Sequence, residues 1–149
     1  MPIRCEIVSQ DRQVFSGEAS MIIVPGIQGE MGILPNHAPL LSTLKMGILV
    51  VRHRGQEQVF TIAGGVIEVQ PDVVTIMADA AENVQEIDIN RAEAAKKRAE
   101  EILKQGPPPD YDTYLKIESA LRRSNLRLTA VKRYRGPRSQ YPLRTEDTL

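Results

Sequence analysis

Residues 78–104 read ADAAENVQEIDINRAEAAKKRAEEILK, and this stretch decides the fold. Upstream of it, apolar residues alternate as they do in strands. Downstream, they recur every three or four residues as they do in helices. The start of the helix can be placed within it. Asp88 or Asn90 can each serve as N-cap, because either side chain accepts from the first free backbone N–H groups. Asn90 followed by Glu93 has the spacing of a capping box. Ala92, Ala95, Ala99, Ile102 and Leu103 then fall on one face. Its first turns carry only alanine, which buries little but lets a second helix approach closely. Arg91 and Arg98 are two turns apart and point the same way. Two guanidinium groups near an aspartate at a helix start can hold a polyphosphate. The plainer reading of the same pair is a solvated basic face.

Working back from the junction, residues 1–86 read as short strands between turn signals. Ile3, Cys5 and Ile7 alternate with polar neighbours, and Ser9-Gln10-Asp11 turns the chain. Ala19, Met21 and Ile23 form a second run, closed by Pro25-Gly26. Gly47 to Val51 and Gln58 to Ile62 flank Arg54-Gly55-Gln56, a hairpin signal. Ala63-Gly64-Gly65 should be a bend or a close backbone approach. Val66 to Val69 and Val73 to Met77 flank the turn Pro71-Asp72. Strands this short and closely spaced predict a sandwich or flattened barrel. Residues 28–41, with Pro35 and Pro39, are expected to be a surface loop. His37 lies in it, and a hydrogen-bonded loop residue is the plainer reading than a catalyst, since neither His37 nor His53 has a cysteine or carboxylate cluster beside it. Neither a catalytic constellation nor a metal site is expected.

Working forward, two helices are expected, about 90–104 and 112–133, separated by Gly106-Pro107-Pro108-Pro109-Asp110. Tyr114, Ile117, Leu121, Ser124, Leu128 and Val131 recur at spacings of three and four, the seam of an antiparallel helix pair or coiled coil. With alanines on one side and a central serine on the other, that seam is weak. Arg123 and Arg127 share a face of the second helix. If the helices pair, they and Arg91 and Arg98 can form one cationic cluster, which needs an anion or acidic surface beside it. The polar, proline-containing residues 135–149 read as a disordered tail.

The formal net charge is zero, but its distribution is uneven. Residues 1–86 hold 5 basic and 10 acidic side chains, residues 87–149 hold 14 and 9. The second half is therefore suited to an acidic or phosphorylated partner, or to the first half itself. Tryptophan is absent and aromatics make up 4%, which argues against base-stacking platforms for single-stranded nucleic acid. The single cysteine, Cys5, excludes an internal disulfide and fits a reducing compartment. No run of about 18 apolar residues is present, so no membrane-spanning helix is expected. The N-terminus lacks a secretory pattern.

Four motifs, in this order and spacing, carry a resemblance to a family. They are Phe15-Ser16-Gly17, the run GEMGILPNHAPLL, the run AGGVIEVQPDVVTIMADAA, and IDINRA at 87–92. Together they make residues 1 to about 133 resemble the ε subunit of F-type ATP synthases. Asn36 stands where that family often has glycine, and the tail after Tyr134 has no counterpart in its short members. The resemblance implies an N-terminal β-sandwich (1–86) and a C-terminal antiparallel two-helix hairpin (87–134), a β + α fold. It implies a sandwich docked on the γ subunit and on the polar loops of the c-ring, with Glu30 and His37 as contact residues. It also implies a regulatory hairpin that either folds down or extends along γ. Extended, its basic second helix, Arg122 included, would face an acidic loop of the catalytic α/β subunits and block ATP hydrolysis. Some members bind ATP on the folded hairpin through Ile/Leu-Asp-x-x-Arg-Ala. Ile87, Asp88, Arg91 and Ala92 fill each fixed position, and by neighbour matching Glu82, Arg98, Arg123 and Arg127 take the remaining ligand positions.

The expectation is thus a non-catalytic rotor subunit that couples proton translocation to ATP synthesis, restrains hydrolysis and takes ATP as a regulatory ligand rather than an obligatory cofactor. It would sit peripherally on the cytoplasmic face of a bacterial plasma membrane or an equivalent energy-transducing membrane. A free-standing nucleotide- or anion-binding sensor is the alternative. A nucleic-acid binder using Arg122, Arg123, Arg127, Lys132, Arg133 and Arg135 fits less well with the acidic first half.

Overall fold

In the computed structural model, residues 1–135 are described. Apart from Arg135, the tail expected to be disordered lies outside the described residues. Residues 1–83 form one compact unit, and a second begins at Val84, three residues before the junction read from the sequence.

The first unit is built from eight strands: β1 (Ile3–Val8), β2 (Gln13–Ala19), β3 (Met21–Gly26), β4 (Gly29–Ile33), β5 (Leu40–His53), β6 (Gln56–Val69), β7 (Val73–Ala78) and β8 (Ala81–Asn83). Hydrogen bonding runs in the order β2-β1-β7-β6-β5-β3-β4, with β8 paired to β6. The alternation in β1 is realised directly: Ile3, Cys5 and Ile7 are fully buried, while Arg4 faces out. β1 pairs antiparallel with β2 and parallel with β7, Cys5 opposite Val74.

Strands β5 and β6 make the sandwich possible. They form one long antiparallel ribbon in a single register, from Leu40 opposite Val69 to His53 opposite Gln56. Arg54 and Gly55 close it with φ of 50° and 76°, the two left-handed positions that a two-residue hairpin turn needs. β6 pairs with β8 through Phe60–Ile62 and with β7 through Gly65–Val69, so one strand serves both layers of the sandwich. The change-over falls at Gly64 and Gly65, with φ of 114° and 146°. Of the two alternatives expected there, a bend or a close approach, the backbone stays in the strand, and the close approach is what requires glycine. A Cβ on Gly65 would lie 2.8 Å from Ala78 Cα.

Between the layers lies a core of aliphatic side chains around Phe60, including Ile22, Ile33, Ile67 and Ile76. Phe15 meets Phe60 edge-on at 5.6 Å. Burial, and secondarily the charge of Glu6, pushes the Cys5 thiol up from its ordinary 9.0 to about 12. The neutral thiol is the form the fold favours. That contribution to stability is therefore intact below pH 9 and is lost as pH rises from 9 toward 12. Since the thiolate is the nucleophile, we expect iodoacetamide at pH 8 to label Cys5 only at the rate of unfolding. Labelling as fast as a free peptide thiol would contradict the burial.

One expectation needs correction. Residues 28–41 are not all loop. Gly29–Ile33 is β4, an edge strand antiparallel to β3. Gln28 lies in the turn before β4, and residues 34–39 are irregular, which is where Pro35 and Pro39 act.

The second unit opens with a 3-10 turn, Val84–Glu86, followed by helices α1 (Ile89–Lys104) and α2 (Tyr111–Tyr134). Asp88 is the N-cap of α1, its carboxylate accepting from Arg91 N at 3.0 Å. Asn90 already lies inside the helix, so the Asn90–Glu93 box does not form. Gly106, with φ of 99°, ends the helix in the left-handed conformation that a helix stop favours. Asp110 caps α2, accepting from Asp112 N at 3.2 Å and from Thr113 Oγ1 at 2.8 Å. The buried positions are small: Ala92 and Ala99 on α1, Ser124 and Ala130 on α2. Ser124 satisfies its hydroxyl by donating to the Ala120 carbonyl at 3.0 Å. The larger seam residues, Tyr114, Ile117, Leu121, Leu128 and Val131, are only half-buried. Ile102, expected on the packed face, is 44% exposed; Leu103 beside it is half-buried instead.

Candidate functional site

On the hairpin, the run Ile87-Asp88-Ile89-Asn90-Arg91-Ala92 folds into one cap and one turn. Ile87 is buried and so is Ala92, and these two apolar contacts seat the turn. Asp88 spends one carboxylate oxygen on the Arg91 N–H. Its other oxygen and the exposed Arg91 side chain then face solvent together at the helix start. The positive end of the α1 dipole points the same way. Arg98, two turns on, is also exposed.

Arg123 and Arg127 lie one turn apart on α2, both half-buried. Arg123 Nη1 donates to Ser119 Oγ at 3.0 Å, which restrains its guanidinium. Arg122 next to it is exposed. The hairpin unit thus carries Ile87, Asp88, Arg91, Ala92, Arg98, Arg123 and Arg127. Glu82 belongs to the other unit, in β8, opposite Thr61.

Sequence reasoning assigned Arg135 to the tail. It is instead the C-cap of α2, and its Nη1 donates to the carbonyls of Ile87 at 2.6 Å and Val84 at 3.2 Å. A signal was present. The three-and-four spacing of the α2 seam, carried one step past Val131, lands on residue 135.

On the sandwich, Glu30 and His37 do not share one loop. Glu30 is exposed in β4, opposite Pro25. His37 is half-buried in the segment 34–39, its Nδ1–H donating to the Ala38 carbonyl at 2.7 Å. Asn36 has φ of 64°, a conformation that asparagine tolerates better than most residues and glycine best. Its N–H donates to Pro71 O at 3.0 Å, anchoring the segment to the β6–β7 turn. Ile27, Leu34 and Leu41 stand 62%, 54% and 70% exposed, so the chain presents apolar side chains with a carboxylate and an imidazole along the β3–β5 region.

Among the described residues no cluster of three metal-ligating side chains occurs, and no helix is long and apolar enough to cross a membrane.

Comparison with known proteins matches both units. Residues 2–84 match the β-sandwich domain of the ATP synthase Delta/Epsilon chain, and residues 85–132 match its long α-helix domain. The ATP synthase epsilon chain of Dehalococcoides mccartyi is 43% identical over 136 residues, 91% of this chain and 96% of its own. That of Pelotomaculum thermopropionicum is 48% identical over 100 residues, 67% and 75% of the two chains. A chain in the cryo-EM structure of the Euglena gracilis mitochondrial ATP synthase (OSCP/F1/c-ring) superposes with a TM-score of 0.74 at 27% identity, covering 87% of this chain and 81% of that one. A chain of the Tetrahymena thermophila mitochondrial ATP synthase shares the fold, with a TM-score of 0.57 at 14% identity over 87% and 96% of the two chains.

Proposed function

The chain belongs to the ε-chain family of ATP synthases, and from that premise we propose that it is a rotor subunit with two separable tasks. As a member of that family it is a subunit of the synthase and not the catalytic one. The sandwich is the dock. Its exposed Ile27, Leu34 and Leu41, with Glu30 and His37, suit a partner offering apolar and polar groups together, and the polar loops of the c-ring and the γ subunit are the partners we assign. Coupling of proton translocation to ATP synthesis would pass through that dock, at the cytoplasmic face of the membrane.

The hairpin is the switch. Folded, it binds ATP; extended along γ, it sets Arg122 and its cationic neighbours on α2 against an acidic loop of the catalytic α/β subunits and restrains hydrolysis. The observation that carries this reading is the Asp88–Arg91 turn. A capped, apolar-seated helix start presents one free carboxylate oxygen and one guanidinium, with Arg98, Arg123 and Arg127 on the same helix pair. The arginines are the phosphate ligands, and Ile87, Asp88 and Ala92 complete the set. ATP would offset the mutual repulsion of the arginines only while the helices lie together. It would therefore favour the folded form by its difference in affinity between the two states.

Millimolar ATP is expected to raise the melting temperature of the isolated chain by several degrees, at about 4–8 °C per kcal/mol for a small domain. Arg127→Ala should remove most of that rise. Calorimetry without heat and without a shift would sink the nucleotide site while leaving the dock intact.

A further inference from the structure

We infer that Arg135 is a latch that holds the two ends of the hairpin together. It thereby sets how readily the switch opens, so the inference rests on the reading of the hairpin just given. Arg135 closes α2, and its side chain reaches back 48 residues to the Ile87 carbonyl at 2.6 Å and 51 residues to the Val84 carbonyl at 3.2 Å. Both acceptors belong to the segment that leads into α1. The Val84 carbonyl also receives the Ile87 N–H at 3.4 Å, so the guanidinium and the 3-10 turn share an acceptor. Ile87 and Val84 are buried, and the next residue is the Asp88 cap.

The chemistry is asymmetric. The planar Nη1H2 group of Arg135 donates to both carbonyls at once, and both hydrogen bonds are charge-assisted. The bonds exist only while the end of α2 lies beside the start of α1. They also compensate a weak seam, since the fully buried positions of the helix pair are alanines and a serine. When the hairpin opens, Arg135 joins Arg133 and Lys132 as a third cation at the end of α2, available to an acidic surface. One residue thus favours the closed state through carbonyls and is released as charge in the open one.

The test is amide hydrogen exchange on the full chain, without nucleotide, comparing Arg135→Gln, Arg135→Lys and Lys132→Gln. Lys132 is exposed and close by on α2, so its variant controls for loss of one charge. Arg135→Gln should speed exchange at the Ile87, Arg91 and Ala92 amides by at least about tenfold, since two charge-assisted hydrogen bonds are lost. Arg135→Lys should lie between it and the parent. Amides of β5 and β6 should not change, which separates latch release from general destabilisation. Equal effects from Lys132→Gln and Arg135→Gln, or no change at Ile87, would overturn the latch. A second arm titrates ATP. Arg135→Gln should weaken binding only by the fall in folded fraction that exchange reports, with the salt dependence of binding unchanged because no phosphate contact is removed. Absence of ATP binding by the parent chain, with exchange still responding to Arg135→Gln, would support the latch and reject only the nucleotide site.

Discussion

Gly65→Ala should cost the sandwich about 3 kcal/mol or more, one of the two largest effects we expect from the chain. Gly65 sits opposite Ala78 in the β6–β7 pairing, with φ of 146°. A methyl group there would run into the Met77 carbonyl oxygen, lie 2.8 Å from Ala78 Cα and meet the Met77 carbonyl carbon at 3.1 Å. All three are backbone atoms of a hydrogen-bonded neighbour and cannot rotate away as a side-chain tip can. Relief requires parting β6 from β7, and overpacking of this kind typically costs about 1–3 kcal/mol before the φ strain of about 1–2 kcal/mol is added. Gly29→Ala supplies the comparison. Its φ is 137°, yet no heavy atom lies within 4 Å of the added carbon, so only the strain should appear. Urea unfolding of both variants measures the two contributions. Equal midpoints would show that the close approach of β6 and β7 costs nothing.

Removing residues 84–149 is the second. All buried residues of the sandwich core lie at or before Ala78, with Ala81 packed against them, so the remaining unit keeps its interior and its proposed docking surface. In the reconstituted complex, ATP hydrolysis should rise while γ binding persists. The size of the rise reports the resting equilibrium. If the hairpin restrains the complex two-thirds of the time, deletion should give about threefold, the reciprocal of the free fraction. Higher ATPase with γ retained would separate switch from dock. Unchanged ATPase would remove the inhibitory role from the hairpin, whatever it binds.

Much of this arrangement is legible in the residues. Strict alternation in Ile3-Arg4-Cys5-Glu6-Ile7 leaves one choice of inward face, and the helix pair follows from the α2 seam. The Arg54-Gly55 turn is local, and local chemistry reads well. What escapes is whatever depends on a distant partner. β4 has glycines at both Gly29 and Gly32 and prolines soon after, so nothing in it favours a strand until β3 supplies the pairing. The bounds of β5 and β6 are likewise hidden, because a ribbon that passes from one layer to the other changes its inward face along its length. Ile102 looks like a packed residue on periodicity alone. Its exposure reflects a seam made narrow by small residues, with too little depth for every apolar position on the face. The Arg91, Arg98, Arg123 and Arg127 set was visible as residue types and spacings. Arg135, though the seam spacing reaches it, was passed over because an arginine closing a helix reads like the start of the polar, proline-containing tail that follows it.

The parallel pairing of β1 with β7 has a consequence for how the chain is made. As the chain is synthesised, β1 finds its hydrogen-bonding neighbour on one side in β2; the other side, and much of the cover for Ile3, Cys5 and Ile7, arrives with residues 73–77. Until then a greasy edge stands open, and non-local closure of this kind is slow. Nascent chains are therefore most vulnerable to sticking together just before β7 emerges, and the charged helices synthesised afterwards arrive when that window is closing.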